Sequence, residues 1–147
     1  MIIAVVDTNI LVRGAIGGGR KSASRGVVDA MFAGHFRLIL SGETLHEIQR
    51  VLTQDDVRAK HGWHDAKIER FCRALEVTSL VLEPTTRVPA SLTRDVTDTK
   101  WLALALDAGA DYLVTHDNLH LLRLKRVGRT QIVRPRKFIE VLCSAEM

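Results

Sequence analysis

A chain of 147 residues with 46% hydrophobic and 26% charged side chains can bury a core without disulfides or structural metal and is too apolar to be disordered. Its formal charge of +4 favours an anionic partner, nucleic acid being the commonest for a small basic domain. Cys72 and Cys143, in no metal-like spacing, exclude a disulfide framework and suit buried thiols in a reducing compartment. The apolar opening is too short for a signal peptide and no apolar run nears the ~20 residues of a membrane span, so one cytoplasmic domain over residues 1–147 is expected.

Residues 2–6 form an apolar, β-branched run ending at Asp7-Thr8-Asn9, which reads as a buried strand that stops where polar groups begin. After Ile10 to Val12, Gly14 and Gly17-Gly18-Gly19-Arg20-Lys21 read as a mobile loop. Ser22 then opens a helix carrying Val27, Val28, Met31 and Phe32, stopped by Gly34. Residues 36–40 make a second apolar strand, and Ser41 caps a helix with Leu45, Ile48, Val51 and Leu52 on one face. A third helix starts near Asp65 with Ile68, Phe71, Cys72 and Leu75 as its stripe, before a short strand over 79–82 and a break at Pro84.

From Asp98 to Ala108 the sequence is apolar nearly all round, as in a buried helix, and Gly109 stops it. Residues 112–114 give the next strand. Thr115-His116-Asp117-Asn118 then turns into a short helix with Leu119, Leu121 and Leu122, and a strand at Ile132-Val133 precedes a last helix around 138–142. This alternation predicts an α/β three-layer sandwich: a mostly parallel sheet of about five strands, helices on both faces, and ligands beyond the carboxyl ends of the strands.

Asp7 follows the first strand and Asp117 the strand over 112–114, so a parallel sheet would bring both to one edge. Either alone is explained as a turn or cap residue, and the signal is their convergence. Asp98 lies three, four and seven residues before Trp101, Leu102 and Ala105, which extends the inward stripe of its helix by a turn. Asp95 suits the solvent side. On the helix after Ser41, a wheel at ~100° per residue sets Glu47 roughly 110° and Glu43 roughly 150° from the centre of the apolar face. Glu47 is thus nearer the core boundary, while Glu43 complements the helix dipole. Carboxylates crowded into one crevice repel one another, and a hard divalent cation, Mg²⁺ or Mn²⁺ for oxygen-only donors, relieves that repulsion. Such ions promote attack of water on phosphodiesters, which suits a basic chain.

Three stretches carry a resemblance. They are Val5-Val6-Asp7-Thr8-Asn9-Ile10-Leu11-Val12; Leu40-Ser41 through Thr44-Leu45-His46-Glu47-Ile48; and Asp95-Val96-Thr97-Asp98-Thr99-Lys100 with 101–106, Ala108-Gly109-Ala110-Asp111-Tyr112-Leu113-Val114-Thr115 and Asp117. Together they resemble the PIN-domain nucleases, particularly the VapC-like toxins of toxin–antitoxin pairs, over nearly the whole chain. The resemblance implies a metal-dependent endoribonuclease in which Asp7, Glu47, Asp98 and Asp117 are catalytic and bind Mg²⁺ or Mn²⁺. It makes Asn9 and Thr115 supports of the site and Asp95 an accessory acid. It further implies an RNA substrate cut to leave a 5′-phosphate, a homodimer, and an antitoxin protein that blocks the site. His116 departs from the small residue, often Gly, of related sequences, and Thr97 from their acidic residue.

Other motifs carry less. Gly19-Arg20-Lys21-Ser22 misses the Gly-Lys-Ser/Thr of a phosphate loop, and the His61/His64 and His116/His120 pairs lack the partners zinc needs. Arg20 and Lys21, and Arg123, Lys125 and Arg126 in the densest basic run, are candidate contacts to RNA phosphates, against the alternative of an ordinary solvated face. Two rivals to the nuclease reading remain: a catalytically silent RNA- or protein-binding module of the same fold, and a receiver-type phosphoacceptor. The second normally needs adjacent acids after strand one, where Thr8-Asn9 stands instead.

Overall fold

The computed structural model describes residues 1–17, 22–88, 99–117 and 120–145. β1 (Ile3–Val6) runs straight into α1 (Thr8–Ile16); α2 (Ala23–Phe32) leads to β2 (Arg37–Leu40); and α3 (Gly42–Thr53), α4 (Asp55–His61) and α5 (Asp65–Thr78) precede β3 (Leu80–Val81). Then come α6 (Thr99–Ala108), β4 (Tyr112–Val114), a 3₁₀ turn at Leu122–Leu124, β5 (Arg126–Val127), β6 (Thr130–Val133) and α7 (Pro135–Ala145). The described strands form one six-stranded sheet ordered β3-β2-β1-β4-β6-β5. It is parallel except where β5 meets β6.

Alternation along the central strands builds the layers. Ala4 and Val6, Leu38 and Leu40, and Val114 enter one core with Ile10, Leu11, Val27, Val28, Ile48, Leu52, Ile68, Leu75 and Phe138. Val5, Ile39, Leu113 and Ile132 point the other way, into a core with Trp101, Leu102, Leu104, Ala105 and Leu121. Helix α6 therefore covers one face, and α1, α2, α3, α5 and α7 cover the other. Strands buried on both sides read as unbroken apolar runs, as parallel strands must. This is the three-layer α/β sandwich that the alternation predicts. Among the described residues no helix is long and apolar enough to cross a membrane.

Local chemistry starts the helices where the chain needs them. Ser41 and Thr44 form a reciprocal cap on α3: Thr44 N–H donates to Ser41 Oγ at 3.1 Å and Ser41 N–H donates to Thr44 Oγ1 at 2.8 Å. Ser22 Oγ accepts from Arg25 N–H and caps α2. Asp7 does the same for α1, its carboxylate accepting from Asn9 N–H at 3.2 Å.

Several elements differ from the sequence reading. Gly14 belongs to no loop; it sits inside α1 where α2 crosses, and a Cβ there would stand 2.3 Å from Ser24 O and 2.6 Å from Val28 Cγ2. The sheet gains β5, turned onto β6 by Gly128 at φ +56, a backbone that glycine adopts at the first turn position of a two-residue hairpin. Helix α4 buries none of its residues, so it leaves no apolar stripe to read. Cys72 is half-buried and Cys143 exposed, so the expectation of two buried thiols holds for neither. Residues 18–21 of the glycine-rich stretch, and Asn118 and Leu119, lie outside the described residues.

The order of strands matters for the site. The chain builds outward from β1 through β2 to β3, then returns to place β4 on the other side of β1. The β1/β4 boundary is thus a switch point, where loops leave in opposite directions and open a crevice at the carboxyl ends of the strands.

Candidate active site

The register Val6↔Val114 makes β1 and β4 end side by side, so the residues that follow, Asp7 and Thr115, emerge together at the switch point. Asp7 N–H extends the ladder to Val114 O at 3.0 Å. Thr115, fully buried, links two acids through one hydroxyl: Oγ1 donates to Asp7 Oδ2 at 3.1 Å and accepts from Asp117 N–H at 3.1 Å. Asp117 Oδ1 accepts from His120 N–H at 3.0 Å, which helps to fix the carboxylate. Helix α3, starting directly after β2, presents Glu47 at the same edge. Asp7, Asn9, Glu47, Arg50, Lys100, Trp101, His116 and Asp117 line one cavity of about 510 Å³ together with Ile10.

The charges in this cavity are unevenly compensated. Burial pushes the Asp7 carboxyl above its ordinary range; hydrogen bonds from Asn9 N–H and Thr115 oppose the shift, and the negative charges of Glu47 and Asp117 add to it. Glu47 has a counter-ion: Lys100 Nζ donates to Glu47 Oε2, both side chains only about a fifth exposed. At the rim, partial burial and the neighbouring charges of Arg13 and Arg134 hold His116 below its ordinary value, against the pull of Asp7. A buried carboxylate pushed toward protonation by its neighbours is what a hard cation stabilises, and Asp7, Glu47 and Asp117 supply the oxygen donors such a cation prefers. Among the described residues no three His, Cys, Asp or Glu side chains are already grouped closely enough to hold an ion. Asp98, the residue before Thr99 in the sequence, lies outside the described residues, as does Asp95.

Of the residues singled out from sequence, Asp7, Glu47, Asp117, Asn9 and Thr115 meet at this edge. The wheel separates the two glutamates in the right sense, since Glu47 is half-buried in the cavity wall and Glu43 is exposed. Arg123, Lys125 and Arg126 do not line the cavity; they lie exposed on the 3₁₀ turn, just after it and on β5. Arg20 and Lys21 lie outside the described residues. The cations that do line the cavity, Arg50 and Lys100, were given no role from sequence. Arg50 was legible, standing three residues after Glu47 and so on the same side of α3. Lys100 pairs with a residue 53 positions away, and nothing local announces it.

A family model described as PIN domain matches residues 4–119 of the chain. Among solved structures of similar fold is PAE2754 from Pyrobaculum aerophilum, with a TM-score of 0.57 and 17% identity, covering 97% of this chain and 90% of that one. That likeness speaks for the fold. No curated protein matches the chain.

Proposed function

The chain belongs to the PIN-domain family, and from that premise we propose that it is a Mg²⁺- or Mn²⁺-dependent endoribonuclease, the toxin of a toxin–antitoxin pair, working in the cytoplasm. PIN domains are in general metal-dependent nucleases, so the hydrolase class follows from the family. The observation that carries the finer reading is the Asp7–Thr115–Asp117 linkage at the switch point, with Glu47 in the wall of the same cavity. RNA as the substrate is supported by the basic chain and by Arg50, Lys100 and His116 along the cavity.

In this reading Asp7, Glu47, Asp117 and Asp98 hold the ion. When bound, it lowers the pKa of water and shields negative charge developing on the phosphoryl oxygens. The protein does the positioning. Thr115 fixes Asp7 and Asp117 relative to each other, the N-terminus of α1 holds Asp7 through Asn9 N–H, and Arg50 offers a positive charge to the substrate's phosphates. A 5′-phosphate product, a homodimer and an antitoxin that covers the cavity complete the proposal.

Incubating a mixed RNA pool with Mg²⁺, Mn²⁺ or chelator tests it. Wild type cuts with metal and not with chelator, and Asp7→Asn loses more than the roughly 10–100-fold typical of outer-shell changes. Equal cleavage by both proteins would refute the assignment, and no cleavage by either would favour the silent binding module.

A further inference from the structure

Lys100 has no part in the four-acid scheme, yet it lies within the acid cavity and its ammonium is hydrogen-bonded to Glu47 Oε2. Its surroundings keep it there: Nζ lies 5.1 Å from the centroid of the Trp101 ring, itself 3% exposed, and the ion pair is largely shielded from water. The three acids are thus treated differently. Asp7 and Asp117 accept hydrogen bonds from Thr115 Oγ1 and from the N–H of Asn9 and His120, while Glu47 faces the full positive charge of the Lys100 ammonium.

We propose that Lys100 is a built-in competitor for Glu47: it acts as the counter-ion of the metal-free site, and a divalent cation recruits Glu47 only by displacing the ammonium. The inference rests on the metal-dependent reading above. A divalent cation and an ammonium on the same carboxylate repel each other at a few ångströms, so the two occupancies compete for Glu47. Ion loading then begins at Asp7, whose carboxylate has no cation against it among the described residues, and engagement of Glu47 swings a lysine free in the cavity where a phosphodiester would lie. Lys100 is in this sense a positioning residue that ties the arrangement of Glu47 to the ionic state of the site.

Calorimetric titration of the RNA-free protein with Mn²⁺ reads this directly, in wild type, Lys100→Met, Glu47→Gln and the double variant, with Lys100→Arg as the charge-retaining control. Lys100→Met lowers the Mn²⁺ dissociation constant roughly three- to tenfold, as loss of a largely shielded ion pair and of cation repulsion would. The gain shrinks in the Glu47→Gln background, where no carboxylate is released, and Lys100→Arg stays near wild type. An equal gain in both backgrounds would show that Lys100 acts only as a distant charge, and no gain in Lys100→Met, with its melting temperature unchanged, would overturn the competition outright. Absence of Mn²⁺ binding in every protein would instead sink the metal reading, and this inference with it.

Discussion

Replacing Asp7 with Asn separates the structural role of that residue from its ionic one. Asn caps helices about as well as Asp, so the bond from Asn9 N–H at 3.2 Å can survive the change. What disappears is a negative charge that burial and the charges of Glu47 and Asp117 make unfavourable, and the Oδ2 acceptor of the Thr115 hydroxyl, which the new amide can replace by donating to that hydroxyl. Metal-free Asp7→Asn is therefore at least as stable as wild type at neutral pH. With metal the order reverses. A cation at a hundred times its dissociation constant adds about 2.7 kcal/mol to a fold that binds it, which lifts the melting temperature of a domain this long by roughly 5–10 °C. Thermal denaturation with Mn²⁺ and with chelator should show that rise in wild type and little or none in Asp7→Asn. A variant that is a kcal/mol or more less stable without metal, or one stabilised by Mn²⁺ as much as wild type, would refute the reasoning.

Other outcomes follow from the same geometry. The raised Asp7 pKa means the folded, metal-free protein holds that proton to higher pH than the unfolded chain does. Its stability increment is full below the ordinary Asp value and is lost as pH rises through the raised one, a slope that urea denaturation with chelator will show and that Asp7→Asn will lack. Thr115→Val leaves Asp117 N–H without its Thr115 acceptor and Asp7 Oδ2 without the Thr115 hydroxyl, at a fully buried position. It should cost about 1–3 kcal/mol in denaturant titrations and weaken Mn²⁺ binding by roughly 10–100-fold. Gly14→Ala gains about 1 kcal/mol of helix propensity but drives a Cβ to 2.3 Å from Ser24 O. The α1–α2 contact must open, and a net loss of roughly 2 kcal/mol is expected by thermal melting; a variant as stable as wild type would contradict that crossing.

The parts of the fold legible in the sequence are those set by local pattern. Strand β1 and, from Leu38 on, β2 are apolar runs because helices cover both faces, and Ser22 and Ser41 announce helices through their side-chain oxygens. Asp7 and Asp117 could be placed at one edge because parallel strands share a direction, and residues directly after their ends must share a crevice. What stayed hidden depends on contacts between distant segments. Helix α1 looked like a loop because Gly14 is a poor helix residue, and only the approach of α2 explains why nothing larger stands there. The two residues of β5 carry no period of their own and become a strand through pairing with β6. The link between Lys100 and Glu47 joins two helices on opposite faces of the sheet, and a linear reading cannot see it.

In the proposed site, acids far apart in the chain hold one cation in one pocket. Diffraction from crystals soaked in Mn²⁺ and measured for its anomalous signal addresses that most directly. A peak in the cavity within bonding reach of Asp7 and Asp117, absent in Asp7→Asn crystals, is the predicted result. Manganese found only elsewhere on the molecule, or in the cavity regardless of Asp7, would contradict it.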